Sequence, residues 1–286
     1  MSGQPHIQDV IPITVMIPTK NNETGIAQCI KSLRAFDQVV VVDSMSSDRT
    51  REIGTSLGAE VVTFEWDGQY PKKKQWMLER APSRNDWILI LDADERPTQS
   101  LLDELRNLAP ELENKVYAAY DITLDYVYNG RLLRHGHRVV KRSLLDRTRT
   151  HFEIIDDLYA PGIGEVEGHY QPVADGPFRT LTGRILHDDQ DPIRSWFDRH
   201  NRYSDWEAYL RLNPHVADQV NRSRSGQGQV FARSPFKPLM FFLYDYFLKQ
   251  GFRDGRAGLN YAIALSWYYW LIDVKVAEAL HNAKAQ

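Results

Sequence analysis

The sequence predicts an α/β fold: a mostly parallel sheet flanked by helices, with a C-terminal helical extension. Short β-branched runs alternate with helical patterns over the first 110 residues, as in parallel sheets with helical crossovers. Polar, chemistry-bearing sequence follows directly after several of those runs. From residue 191 onward the strand pattern gives way to helical spacing rich in aromatic side chains.

The buried strands are Ile13 to Ile17 (ITVMI), Gln38 to Asp43 (QVVVVD), Glu60 to Phe64 (EVVTF) and Trp87 to Leu91 (WILIL). Ile26, Ile30 and Leu33 recur at helical spacing after the first. A second helix is expected from about Ser47 to a stop at Gly58, and a third over Lys72 to Arg80. A fourth follows Pro97, with Leu101, Leu102, Leu105 and Leu108 as its apolar stripe. The less regular region from Tyr117 to about His187 reads as further strands and loops covering a site. Asp191-Pro192 then reads as an N-cap followed by proline at the first helical position. Behind it, Trp196, His200, Tyr203, Trp206 and Leu210 form an aromatic helix face. Two more helical segments are expected near Pro238 to Gln250 and Gly255 to His281, and the Asn221 to Gln229 stretch (NRSRSGQGQ) reads as a loop.

Composition narrows the function classes. The chain has 286 residues, 35 basic and 38 acidic, so its formal charge of -3 provides no general field for nucleic acid. Cys29 is the single cysteine, which excludes an internal disulfide. No secretory signal is read in residues 1 to 12, and no uninterrupted apolar run reaches membrane-spanning length. A cytoplasmic protein is the expectation.

Parallel sheets bind ligands outside the carboxyl ends of their strands. Three strands end there in polar sequence: PTKNNET, DSMSSDRT and DADE. In DADE, Asp92 and Asp94 alternate, so an extended stub points both the same way. Hard carboxylate oxygens suit Mg2+ or Mn2+, and a solvated turn capping the next helix is the competing reading. Asp43, at the end of an all-valine strand, suits a nucleobase or ribose contact; ordinary helix capping by Ser46, Ser47 or Asp48 competes. One of Lys72, Lys73 and Lys74 is placed to meet a phosphate, although basic runs are usually solvated.

In this order and within 80 residues, PTKNNE, DSMSSDRT, WDGQYPKKKQW and WILILDADERP resemble family 2 glycosyltransferases of GT-A fold. The similarity is greatest to bacterial lipopolysaccharide-core and exopolysaccharide enzymes. It is strong through about Leu108 and weaker in GEVEGHYQP, RILHDDQDP and the tail. The resemblance implies a GT-A catalytic domain over residues 1–190, with a nucleotide-sugar half (1–110) and an acceptor half (111–190), followed by a helical extension over 191–286. It implies an inverting transfer from a nucleotide sugar, with UDP favoured, to a glycan or polyprenyl-diphosphate-linked acceptor. Pro18, Thr19, Glu23, Asp43, Lys74 and Asp92 would bind the donor, and Asp94 and His187 the metal. Glu165 or Glu167 in GEVEGHY would be the base, with His169 or Glu153 as substitutes. A sugar nucleotidyltransferase and a non-catalytic nucleotide-sugar binder are the alternatives; PTKNNET lacks the glycine-rich loop expected of the first. The basic stretch Arg222 to Lys237 suits closure over the donor or a lipid diphosphate, with a solvated linker as the default. The aromatic tail admits core packing or peripheral contact with the inner face of the cytoplasmic membrane.

Overall fold

The computed structural model describes residues 10–168, 170–222 and 236–285. The four expected strands form as β1 (Ile11–Thr19), β2 (Phe36–Asp43), β3 (Glu60–Thr63) and β4 (Trp87–Ile90). They pair in parallel in the order β3-β2-β1-β4. Both faces of these strands are covered, and alternation decides which residue goes where. Val15, Ile17, Val41 and Leu89 face a layer built by Ile26, Ile30, Leu101 and Leu105, while Met16, Val40, Val42 and Ile88 face Met77, Leu78, Trp206 and Leu210.

The first layer is carried by α1 (Ile26–Ser32) and α4 (Gln99–Glu113), and α2 (Thr50–Ser56) packs beside α1. On the opposite face lies α3 (Lys73–Arg80). The Thr98 hydroxyl caps α4 by accepting from the Leu101 N–H. The expected stop after α2 is present, since Gly58 has φ +84°. α2 itself starts later than Ser47, because Ser46, Ser47 and Asp48 are used in side-chain bonds to the neighbouring loop.

Beyond Tyr117 the chain does more than cover a site. Its longer strands extend the same sheet. β5 (Glu95–Pro97), β6 (Ala119–Tyr128), β7 (Arg131–Leu132), β8 (Val140–Asp146) and β11 (Phe178–Asp188) continue it, while β9 (Thr150–His151) and β10 (Val173–Ala174) pair separately. β8 runs antiparallel between β4 and β6, β6 and β11 are parallel, and β5 is antiparallel to β11. The sheet is parallel through its first four strands and mixed as a whole.

The extension comprises α5 (Ile193–Leu212), α6 (Pro214–Arg222), α7 (Lys237–Phe242), a π-helical turn (Leu243–Leu248), a 3-10 turn (Gly251–Asp254) and α8 (Gly255–Ala285). Two details differ from expectation. Pro192 itself stands at the N-cap of α5, because the Asp191 carboxylate is drawn to Thr24 and Arg199. The Pro238 to Gln250 helix widens into a π turn, in which buried Asp245 accepts the backbone N–H of His137. Trp206 and Leu210 on α5 are buried as expected, and Trp206 lies so close that a Cβ on Gly168 would come within 2.3 Å of its ring. Most of the basic stretch between Arg222 and Lys237, residues 223–235, lies outside the described residues, as does His169.

Candidate active site

The loop after β1 and the loop after β2 are sewn together. Backbone N–H groups of Asn21, Asn22 and Glu23 donate to Ser46 Oγ, Thr50 Oγ1 and Asp48 Oδ2, while Ser47 and Arg49 N–H groups donate back to Asn21 Oδ1 and Glu23 Oε2. Glu23 is thereby used to hold the start of α2. Asp43 is fully buried, and its carboxylate accepts from the N–H and the hydroxyl of Ser46. Ser46 and Ser47 thus serve the loop and do not cap α2, whose N-cap is Arg49; of the three expected capping residues only Asp48 accepts a helix N–H, that of Thr50. A cleft of about 1940 Å³ opens at the same carboxyl edge; Pro18, Thr19, Lys74, Asp92, Asp94, Glu165 and His187 line it, whereas Glu23 and Asp43 are not among its lining residues.

Sheet register explains how distant residues converge on DADE. β5 pairs with β11 so that Glu95 lies opposite His187, and β11 pairs with β6 so that His187 lies opposite Tyr126. β8 pairs with β4 through Leu89 and Leu144; continuing that register three residues beyond Leu89 brings Lys141 opposite Asp92. The carboxylates therefore do share cations within the protein. Lys141 Nζ lies 2.7 Å from Asp92 Oδ2 and 2.8 Å from Glu95 Oε1, and His187 Nδ1 lies 3.6 Å from Asp94 Oδ1. Glu95, only 1% exposed, also accepts the Asp92 N–H.

The electrostatics follow from this crowding. Partial burial works against ionisation of Asp92, but Lys141 and Lys74 outweigh it and hold the carboxyl well below its ordinary range. Glu95 is likewise held low by Lys141 against the cost of burial. Asp94, with less help, is pushed up to about 6 by burial and by Asp92 and Glu95, against the opposing charge of His187. His187 rises to about 9, because Asp94 and Glu95 overcome its burial. Its Nδ1 has no hydrogen-bond partner. The following acidic loop is laced to its surroundings: Asp188 pairs with Arg96, and Asp189 and Asp191 pair with Arg199.

On the far wall, the two glutamates of GEVEGHY separate by environment. Glu167 is buried, and its carboxylate accepts the N–H groups of Lys74 and Gln75 at 2.9 and 2.8 Å, tying this segment to the start of α3. Burial raises its pKa against these bonds. Glu165 lines the cleft with its side chain 19% exposed, 3.7 Å from Lys73 Nζ. Lys73 donates to Thr19 O and Ser44 Oγ, so one ammonium joins the ends of β1 and β2 to the glutamate segment. Desolvation lowers its pKa to about 8, with Glu165 and Asp43 resisting. Glu153 lies away from this cleft and lines a neighbouring cavity.

Residues 14–181 match the model of the family described as glycosyl transferase family 2. The chain belongs to that family. Among relatives, the lipopolysaccharide core biosynthesis glycosyltransferase LpsC of Rhizobium meliloti is 26% identical over 96% of this chain and 95% of its own length. An uncharacterized glycosyltransferase of Rickettsia typhi is 38% identical, over 41% of this chain. The chain spans only 40% of that relative's length. Solved structures aligned with this family 2 chain include Staphylococcus aureus TarS, at 14% identity and TM-score 0.42 over 90% of each chain. Another is the Mycobacterium tuberculosis glucosyl-3-phosphoglycerate synthase in complex with Mn2+, UDP and glucosyl-3-phosphoglycerate, at 23% identity and TM-score 0.30 over 42% of this chain and 44% of that one.

Proposed function

We propose that this family 2 glycosyltransferase is an inverting, metal-dependent enzyme that moves a sugar from a nucleotide donor, with UDP favoured, to a lipid-linked or surface-glycan acceptor in bacterial polysaccharide or lipopolysaccharide synthesis. The observation that carries the reading is the Asp94–His187 pair: two ligand-type side chains at the cleft, one with an orphaned ring nitrogen. No group of three or more such side chains forms a metal cage among the described residues. That donor set fits Mg2+ or Mn2+, which take one or two carboxylates and complete their shell with water and substrate phosphates. The carboxylates of Asp92, Asp94 and Glu95 crowd one corner of the cleft, and a divalent cation held by Asp94 and His187 would take the place of the imidazolium proton that His187 releases on binding it. A bound cation supplies charge stabilisation for the departing diphosphate.

The protein's own groups do the rest. Pro18 and Thr19 form the cleft floor beside the donor, Lys74 faces the diphosphate side, and Asp43 with Glu23 act from behind by fixing the two loops. Glu165 takes the proton from the acceptor hydroxyl as its oxygen attacks the anomeric carbon and the bond to the diphosphate breaks. Resemblance to LpsC along nearly the full length supports a glycan acceptor. The test is a donor screen by thermal shift with Mn2+ or Mg2+, because a ligand bound only by the native state raises apparent stability. In calorimetry, Asp94→Asn is expected to lower Mn2+-dependent UDP affinity by about 10-fold to 100-fold with the fold intact. Equal affinity in the variant, with and without EDTA, would reject the metal assignment.

The tail supports peripheral membrane contact. Among the described residues no helix is long and apolar enough to cross a membrane. Phe241, Tyr261 and Tyr268 are core, yet Phe236, Leu239, Leu243, Phe247, Leu248 and Phe252 are exposed, Leu248 by 72%. Exposed Lys249, Arg253 and Arg256 lie in the same region. Apolar burial joined to basic charge binds anionic lipid in a salt-sensitive way. In flotation, the protein is expected to rise with anionic vesicles at low salt and to stay at the bottom at high salt. Failure to rise at low salt would leave the acceptor to be met in solution.

A further inference from the structure

A second cavity, of about 530 Å³, lies across the N-terminus of α3 from the carboxylate cluster. The lysines after Tyr70-Pro71 divide between the two spaces: Lys72 lines this cavity, Lys73 and Lys74 line the main cleft. Phe152, Glu167 and Tyr170 line both, so the spaces adjoin along one wall. We propose that this cavity binds a neutral sugar unit of a glycan whose reactive end lies in the main cleft near Glu165.

The chemistry of the lining selects that ligand. Tyr70, Phe152 and Tyr170 supply aromatic surface, and Gln75, Gln219 and Glu153 supply polar groups. Small-ligand sites combine such apolar walls with a few placed polar groups, in volumes of roughly 300–1,000 Å³. Tyr170 is 6% exposed, and its hydroxyl, itself buried beside the two spaces, has no hydrogen-bond partner within the protein, so a donor stands unused next to the cavity. Leaving such a group unpaired is costly, and a ligand oxygen that accepts from it recovers the loss. Gln219 Oε1 accepts the Asp156 N–H, which leaves its NH2 group for a ligand. Gln75 is already used, accepting the Phe152 N–H and donating to Glu79, so it shapes the wall.

Charge argues against an anion. Lys72, the one lysine in the lining, has its ammonium 2.8 Å from Asp157 Oδ1, and Tyr70 donates to the same oxygen at 2.5 Å. Glu153, by contrast, has no cationic partner among the described residues. A phosphate or a nucleotide would meet that carboxylate; a sugar hydroxyl donates to it. The identity of the ligand as a sugar rests on the glycosyltransferase reading, whereas the geometry of the cavity does not.

The test is saturation-transfer NMR on the intact chain, with free maltose, lactose and diacetylchitobiose at millimolar concentration and neither nucleotide nor metal added. At least one disaccharide is expected to bind. Tyr170→Phe, which removes only the unpartnered hydroxyl, is expected to weaken that binding by roughly fivefold, the worth of one hydrogen bond, with a melting temperature no lower than that of the wild type as the check on folding. Glu153→Gln is expected to weaken it as well, and Asp94→Asn to leave it unchanged. The proposal is overturned if none of the three binds, if binding survives Tyr170→Phe at full strength, or if spermine occupies the cavity in preference to the saccharides. Loss of binding in Asp94→Asn would also overturn it, by assigning the signal to the main cleft. Failure of metal-dependent UDP binding would remove the proposed function and leave the disaccharide result standing, so the two readings fail separately.

Discussion

Lys141→Met is expected to destabilise the protein by about 3–5 kcal/mol at pH 7, the usual effect of removing one partner from a buried ion pair. The lysine has little freedom: its ammonium touches Asp92 and Glu95 at once, and Glu95 is 1% exposed. Methionine fills much of the same volume, so the loss isolates the charge. Without Lys141, Glu95 keeps the Asp92 N–H at 2.9 Å and His187 at 3.8 Å, too little for a carboxylate out of water. The sign of the pH dependence follows. In the native protein the Glu95 pKa is depressed, so its contribution is fully present above its ordinary 4.5 and is lost as the pH falls through the folded value. In the variant that pKa moves above 4.5, the native state binds the extra proton, and stability is relatively greater in acid. The gap between wild type and variant, measured by urea unfolding, should be largest near neutrality and should narrow on acidification below about pH 5. A variant as stable as wild type at pH 7 would mean that the carboxylates hold one another's protons and that the lysine is incidental.

Lys141 marks where sequence reasoning stops. The run VVKRSLL shows a strand-like segment with two basic residues, and nothing local tells which strand it joins. Its meaning comes from register: β8 must lie antiparallel to β4, with Leu144 opposite Leu89, before Lys141 meets Asp92. The first four strands and the meeting of PTKNNET with DSMSSDRT and DADE were legible because they depend only on alternating periodicity and on ligand sites gathering at the carboxyl ends of parallel strands. His187 is within reach through its motif, whereas the register that sets it opposite Glu95 is not. Asp43 and Glu23 show the opposite limit. The resemblance places both at the donor, and both spend their carboxylates on the adjoining loop, since an unpaired N–H at a crowded strand end takes the nearest acceptor. The glutamates of GEVEGHY could not be told apart until the start of α3 was seen to need one of them.

That division yields the sharpest functional contrast. Glu165→Gln is expected to reduce transfer by about 10²–10⁴-fold, the range over which a positioned general base contributes, with nucleotide binding unchanged. The readout is nucleoside diphosphate released from the donor found by the thermal-shift screen, with water or a glycan as acceptor. Glutamine keeps the shape but cannot take the proton, and the loss of charge removes the nearest carboxylate to Lys73, lowering a pKa that already stands near 8. Glu167→Gln is expected to behave differently. Its two N–H partners at the α3 terminus then face an amide that offers one acceptor oxygen, so stability falls by about 1 kcal/mol. Activity should follow that fall only through the position of the neighbouring glutamate. A Glu165→Gln enzyme with wild-type turnover beside an inactive Glu167→Gln would reverse the assignment. If both variants turn over normally, the base lies elsewhere on the cleft wall, and the buried carboxylate of Glu167 is left as the anchor of α3 alone.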